Sequence, residues 1–364
     1  MIEVNDLKRA KQVEIFGELA KHDHEQLVFC HDSRTGLKAI ISIHNTVLGP
    51  ALGGTRMWNY ASDTEALNDV LRLARGMTYK AAISGLNLGG GKAVIIGDVD
   101  KIKNETLLRR FGQFVESLNG KYVTAEDMNM TPDDMEYIAM ETRHVTGLSE
   151  SVGGGGDPSP VTAYGVYVGM KASAKKAYGS DSLEGKRVSV QGVGSVGMHL
   201  LEYLFKENAQ LFVSDFNKNR ANNAAKKYKA KPVGLDEIYN LDVDIYSPCA
   251  MGATINDNTI DRMRCQIIAG AANNQLEDEA LHGNMLSSRG IIYAPDFLIN
   301  AGGLINVGID YLGGWSKERA YRKTEKIYQT TLDILNLAEK EGIPTQDAAM
   351  KLAKKRIHDI AGLK

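Results

Sequence analysis

Three residues carry the first chemical signal in this chain: Lys80, Lys92 and Asp127. Lys92 follows three glycines in Leu86-Asn-Leu-Gly-Gly-Gly-Lys-Ala-Val-Ile95 and precedes an apolar run. Glycines ending in lysine can cradle phosphate, with the spacing G-x-x-x-x-G-K-[ST]. The register excludes that loop here, because its first glycine would fall at Leu86 and its hydroxyl at Ala93. Taken by itself, Gly-Gly-Gly-Lys reads as a surface turn with a solvated lysine. Lys80 lies twelve positions earlier, so two lysines bracket one glycine stretch. Asp127 stands just past Tyr122-Val-Thr-Ala-Glu126, which reads as a strand. The carboxyl end of a strand is where α/β proteins usually place their chemistry.

The elements that must position these residues are legible around them. Ser62-Asp-Thr-Glu65 fits a capping box, and Leu67, Val70, Leu71, Ala74, Thr78 and Ala81 continue as one helical stripe. Gly85 should stop that helix, which leaves Lys80 in its last turns. Thr131-Pro132 with Asp133 and Asp134 predicts a second helix start.

A different pattern begins at Arg187-Val-Ser-Val-Gln-Gly-Val-Gly-Ser-Val-Gly197, where a short apolar alternation runs into G-x-G-x-x-G. Met198, Leu200, Leu201, Leu204 and Phe205 then keep helical spacing, and Leu211-Phe-Val-Ser-Asp215 reads as a second strand. This is the grammar of a Rossmann-type dinucleotide-binding domain. Gly192 would make the tight turn, Gly194 would let the backbone approach a pyrophosphate, and Gly197 would allow helix and strand to pack closely. Ser195 and Val196 within the loop, and Ala250 farther along, complete the loop-side cofactor candidates. Asp215, eighteen positions after Gly197, can bind both ribose hydroxyls and repel a 2′-phosphate, which favours NAD. Further strands are expected at residues 243–247, 266–270 and 291–294. In Ala271-Ala-Asn-Asn-Gln275 the amides form either a polar turn or hydrogen bonds to a nicotinamide or substrate.

The 364 residues suffice for two ordinary domains. A hydrophobic content of 43% with 24% charged residues is that of a soluble globular chain, and a net charge of −2 offers no footprint for nucleic acid or an anionic membrane. The charged first eleven residues and the absence of any apolar run of transmembrane length predict a cytoplasmic protein. Cys30, Cys249 and Cys265 form no C-x-x-C pair and read as buried free thiols. His22 and His24 read as polar surface, and no metal site is expected. The run Lys351-Leu-Ala-Lys-Lys-Arg356 reads as the wet face of a terminal helix. Residues 152–160, VGGGGDPSP, read as a mobile linker between domains.

The stretches Leu48-Gly-Pro-Ala-Leu-Gly-Gly-Thr-Arg-Met-Trp58, Met77-Thr-Tyr-Lys80, Leu88-Gly-Gly-Gly-Lys92, Ala125-Glu-Asp-Met128 and Asn300-Ala-Gly-Gly303 resemble, in order and spacing, the amino-acid dehydrogenase superfamily of glutamate, leucine, phenylalanine and valine dehydrogenases. The likeness runs through nearly the whole chain and is greatest to the leucine-specific branch. It implies that Lys80 binds the substrate α-carboxylate, that Lys92 is the catalytic lysine, and that Asp127 handles protons at the amino group. It further implies that Gly53 and Gly54 present backbone to the substrate, that Asn273 and Asn300 place substrate or nicotinamide, and that Thr162 touches the carboxamide. Leu52, Ala125, Leu304 and Val307 would line an apolar pocket suited to a branched aliphatic chain. Leu52 stands where glutamate-specific relatives carry a lysine. The resemblance also implies a homo-oligomer, an octamer in that branch.

The chemistry agrees with these roles. An amino acid that loses hydride from Cα to a nicotinamide becomes an iminium, which water must attack before ammonia leaves. Burial and a second cation would lower Lys92 toward the range of a working base, and Asp127 would serve the amine. The glycine triplet is expected to turn sharply and approach the nicotinamide. The expected fold is α/β, with two domains separated by a cleft: residues 1–147 plus 330–364 for substrate and oligomerisation, and residues 148–329 for NAD. The expected reaction is reversible deamination of L-leucine and other branched-chain L-amino acids. The competing readings are a phenylalanine-specific enzyme and a nucleotide-binding protein without chemistry.

Overall fold

The structure, a computed structural model, describes residues 14–363, so the charged first eleven residues lie outside the described part. The chain forms two compact units. One comprises the chain up to Thr78 together with Gly89–Val145, and the other Tyr79–Leu88 together with Thr146 onward.

The first unit is built on a six-stranded mixed sheet of β1 (Gln26–Asp32), β2 (Leu37–Asn45), β3 (Ala51–Leu52), β4 (Thr55–Trp58), β5 (Gly89–Ile96) and β6 (Tyr122–Val123). The order is β1-β2-β5-β3-β6, with β4 also pairing β5. β1 and β2 form an antiparallel hairpin, β2 runs antiparallel to β5, and β3 and β4 run parallel to β5. β5 is therefore central. The helix Asp63–Ile83 starts as expected, with Ser62 Oγ accepting from Glu65 N at 3.1 Å, and Gly85 follows it at φ 69°. The stripe Leu67, Val70, Leu71 and Ala74 is buried, against Ile40 and Val94 in the case of the first three. Thr131 and Asp134 form a reciprocal capping box before the helix Pro132–Ala139.

The glycine triplet differs from its expectation. Gly89, Gly90 and Gly91 are extended residues of β5 and make no turn. A Cβ on Gly89 would come within 2.0 Å of Asn45 O, on Gly90 within 2.1 Å of Thr78 N, and on Gly91 within 2.8 Å of Tyr122 Cδ2. The glycines thus let neighbouring backbone press against a central strand, and Lys92 rises from that strand and not from a loop.

The second unit holds a six-stranded parallel sheet of β7 (Arg187–Gln191), β8 (Gln210–Ser214), β9 (Lys231–Pro232), β10 (Ile245–Pro248), β11 (Ile267–Ile268) and β12 (Ile292–Tyr293). Its order, β12-β11-β10-β7-β8-β9, is the 3-2-1-4-5-6 arrangement of a doubly wound dinucleotide fold read from the far edge. The strands expected at 187–191, 211–215, 243–247, 266–270 and 291–294 all appear, shortened or shifted by a few residues.

The C-terminal part belongs to this second unit, whereas the sequence reading joined residues 330–364 to the first domain and drew its boundary at 147. Within that unit the helix Lys326–Glu341 packs on the helix Ser159–Tyr178, and a cationic clamp ties the last helices to residues 82–86. Arg356, on the helix Thr345–Ala361, donates to the Ala82 and Leu86 carbonyls at 3.0 and 2.7 Å, and Lys323 donates to Gly85 O at 2.8 Å. Positive charge at a helix C-terminus complements its dipole. Arg356 is therefore not part of the wet face, although Lys351, Lys354 and Lys355 are exposed. The stretch at 152–160 is packed in its middle, where Gly154 and Gly155 are buried and Gly155 O accepts from Asn306 Nδ2 at 3.3 Å, while Val152, Gly153 and Asp157 are exposed. Cys30 and Cys265 are buried free thiols, and Cys249 is half-buried. His22 is exposed as expected, but His24 is buried.

Candidate active site

In the first unit the sheet brings together two residues distant in sequence. Lys92, only 5% exposed, projects from β5, and its Nζ lies 3.2 Å from Asp127 Oδ2. Asp127 follows β6 in a segment that bridges back to Thr55 through Glu126. Gly54 permits this approach, since a Cβ there would lie 2.2 Å from Glu126 O and 2.9 Å from Asp127 Cβ. Gly53 is equally constrained, with Gly91 O only 1.8 Å from a Cβ built on it. Its N–H donates to Val123 O and its carbonyl accepts from Tyr122 Oη at 2.6 Å, so both groups already have partners within the sheet. Leu52 and Ala125 are buried beside them.

The electrostatics follow from the burial. Loss of hydration is the main influence on Lys92 and holds its pKa below the ordinary lysine value, with the Asp127 charge opposing. Burial alone would raise Asp127, but the Lys92 and Arg56 cations outweigh it and keep the carboxyl below its usual range. Arg56 is the functional neighbour that sequence reasoning missed. Its Nε donates to the same Asp127 Oδ2 at 2.9 Å. The available signal was an arginine inside an otherwise strand-like Thr-Arg-Met-Trp run. A half-buried lysine–carboxylate pair of this kind can take and return protons at a bound amine and its attacking water.

In the second unit the three fingerprint glycines separate by environment. Gly192 has φ 95°, and a Cβ there would meet Ala250 Cβ at 2.6 Å. A Cβ on Gly197 would lie 2.1 Å from Gly192 O, whereas Gly194 has no atom within 4 Å of such a Cβ. The open side of Gly194 lies at the start of the helix Ser195–Lys206, whose N-cap makes no side-chain hydrogen bond. Its first N–H groups suit a phosphate. Asp215 directly follows β8; its carboxylate accepts from Val193 N and Asn217 N, both at 2.8 Å, which orients it against the glycine loop. Ser195 Oγ donates to Asp157 Oδ2 at 3.4 Å, and Val196 occupies the helix's first turn.

A polar group lies farther along the same unit. Asn300 Nδ2 donates to Asn273 Oδ1 at 2.8 Å and to Ala271 O at 3.1 Å, and Lys80 Nζ donates to Asn273 Oδ1 at 3.5 Å. Within Ala271–Gln275 the Asn273 amide thus engages both a lysine and a second amide. Asn300 Oδ1 is buried without a hydrogen-bond partner among the described residues. Such an atom fits a ligand that supplies a donor, as a carboxamide does. Thr162 abuts the turn after Asn300, its Oγ1 lying 2.8 Å from a Cβ built on Gly303. Leu304 is buried and Val307 half-buried, three residues apart on the helix Gly302–Leu312. Among the described residues no group of three His, Cys, Asp or Glu side chains is placed to hold a metal ion.

A doubly wound sheet with this glycine loop and strand-end acid, in a chain that also buries a lysine against a carboxylate, defines a pyridine-nucleotide-dependent oxidoreductase of the α/β class. The chain belongs to the Glu/Leu/Phe/Val dehydrogenase family and is an amino-acid dehydrogenase: residues 24–144 match the family's dimerisation domain, and residues 153–217 and 205–362 match Glutamate/Leucine/Phenylalanine/Valine dehydrogenase. It is 56% identical over 345 residues to leucine dehydrogenase of Thermoactinomyces intermedius, covering 95% of this chain and 94% of that protein. Phenylalanine dehydrogenase of Lysinibacillus sphaericus is 48% identical, covering 96% and 94%. The crystal structure of L-tryptophan dehydrogenase from Nostoc punctiforme superposes with a TM-score of 0.85 at 45% identity, covering 95% of this chain and 99% of that one.

Proposed function

We propose that this protein is an NAD-dependent dehydrogenase of branched-chain L-amino acids, converting L-leucine and its aliphatic relatives reversibly to the 2-oxo acid, ammonia and NADH. The observation that carries the reading is the pairing of buried Lys92 with half-buried Asp127 in a chain of this family. When bound, the nicotinamide takes up the hydride released from the substrate Cα. The remaining steps fall to the chain's own residues. Lys80 binds the α-carboxylate, with Asn273 and Asn300 holding its surroundings. Asp127 accepts a proton from the substrate ammonium, so that the amine nitrogen can push electrons toward Cα as hydride departs. Neutral Lys92 then takes a proton from the water that attacks the iminium carbon. Asp127 returns its proton to the nitrogen; as the C–N bond breaks, the hydroxyl oxygen closes to the C=O of the 2-oxo acid and gives its proton to the ionised Asp127, and ammonia leaves.

Leu52, Ala125, Leu304 and Val307 are the side chains proposed to read an aliphatic substrate. None of them offers a cation to a distal carboxylate. Asp215 supports NAD over NADP, because its oriented carboxylate would repel a 2′-phosphate while accepting from ribose hydroxyls. Gly192, Gly194, Ser195, Val196, Gly197, Ala250 and Thr162 are the remaining residues proposed to hold the dinucleotide. We further infer a cytoplasmic homo-oligomer, an octamer by resemblance, serving branched-chain amino-acid catabolism. The match to a dimerisation domain supports self-association, and light scattering on the purified protein counts the subunits.

The mechanism is tested with Lys92→Ala. Turnover of L-leucine should fall by at least about 100-fold, the usual contribution of a positioned base, while NADH still binds with near wild-type affinity by fluorescence titration. Unchanged turnover would overturn the assignment.

A further inference from the structure

We propose that Arg56 is a positioning residue for this chemistry, a bridge that anchors on Asp69 and holds the Asp127 carboxylate in place beside Lys92. The inference rests on the roles of Lys92 and Asp127 given above. Arg56 lies on β4 with its side chain largely buried, and its two ends meet two carboxylates: Nε donates to Asp127 Oδ2 at 2.9 Å, and Nη1 donates to Asp69 Oδ2 at 3.0 Å. Asp69 is fixed in turn, accepting from Tyr60 Oη at 2.7 Å and from Arg72 Nη2 at 2.9 Å. The anchor is therefore rigid.

The geometry at Asp127 gives the bridge its consequence. Arg56 and Lys92 converge on the same oxygen, so rotation of the carboxylate toward another partner breaks both contacts. A planar guanidinium can span the two acids with separate nitrogens, whereas a lysine ammonium is one point of charge. The charged and titratable groups here are few. Lys92 feels Asp127, Arg56 and Asp69; Asp127 feels Lys92 and Arg56 and lies near the buried Tyr122; Arg56 feels Asp127, Asp69 and Tyr60. Arg72 adds a third cation on the far side of Asp69. Arg56 is the cation that disfavours the Lys92 ammonium, so without it Lys92 holds its proton more tightly. The neutral base then forms only at higher pH.

Arg56→Gln is expected to fold, because Asp127 retains Lys92 while Asp69 retains Tyr60 and Arg72. With NAD and L-leucine its kcat should fall on the order of 10- to 100-fold at neutral pH, with a smaller change in KM. The rising limb of kcat/KM against pH should move to the alkaline side. Arg56→Lys, which keeps the charge but not the bridge, should restore the limb toward its wild-type position while kcat stays reduced. An Arg56→Gln limb in the wild-type position, with or without a uniform loss of rate, overturns the proposal. If Arg56→Gln does not fold, Arg56→Lys decides, and wild-type kcat in that variant overturns it. Lys92→Ala run alongside separates the two readings. Full turnover in Lys92→Ala would sink the underlying mechanism, whereas an inactive Lys92→Ala with an unmoved Arg56→Gln limb would sink only the role of Arg56.

Discussion

Burial acts on two kinds of nitrogen in the first unit, with different consequences. At Lys92 it prepares a base, because the ammonium loses hydration and this outweighs the opposing charges of Asp127 and Asp69. At His24 and His44 it stores an acid sensitivity. Their rings meet edge to face with centroids 4.7 Å apart, His24 Nδ1 pairs with Ser42 Oγ, and His44 Nδ1 pairs with Thr78 Oγ1. Burial pushes both imidazoles down to about 4, with neighbouring histidines and Arg75 adding to it. Unfolded histidines titrate near 6.5, so between those values the unfolded chain binds more protons than the folded one. Stability should be complete above about pH 6.5 and decline as pH falls toward about 4, by an amount on the order of 1–3 kcal/mol. Urea denaturation across that range measures it, and His24→Gln should flatten the slope; a variant as steep as wild type would contradict the assignment. Spacing alone did not reveal this cluster, because its members come from the loop before β1, from β2 and from the helix Asp63–Ile83. For the same reason Arg56, 71 positions before Asp127, was invisible as its partner. Asp127 was legible because it stands just past a strand, and Lys92 because three glycines precede it in the chain.

At the scale of elements, the central strand β5 depends on the absence of side chains. Gly90 faces the helix Asp63–Ile83 so closely that a methyl group would overlap Thr78 N and Oγ1, at 2.1 and 2.2 Å. Gly90→Ala should therefore destabilise the fold by roughly 2–4 kcal/mol through overpacking, read as a lower denaturation midpoint. A midpoint within experimental error of wild type would show that the helix can move aside. The sequence pattern pointed to a turn because glycine most often marks one, and close packing of extended backbone leaves no local signature. The fingerprint at Gly192, Gly194 and Gly197 was legible in full, since strand, turn, helix and acid follow one another within 29 residues of chain from Arg187 to Asp215. The clamp of Arg356 and Lys323 on the end of the helix Asp63–Ile83 was not, because it joins segments more than 230 positions apart.

At the scale of the whole molecule, two halves with different grammar correspond to two compact units, although the last helices and residues 79–88 fall on the side the sequence did not suggest. The helix that carries Lys80 contributes its beginning to one unit and its end to the other, which no break in composition marks. Phe29 is exposed on β1, within the residues that match the family's dimerisation domain. The central claim concerns what this protein oxidises, and the rate of NADH formation by the purified protein tests it most directly. L-leucine, L-valine, L-isoleucine, L-phenylalanine and L-glutamate would each be supplied with NAD, and the best substrate repeated with NADP. The account predicts turnover of the three aliphatic acids, little with phenylalanine or glutamate, and a strong preference for NAD. Preference for phenylalanine, or silence with all five, would contradict it.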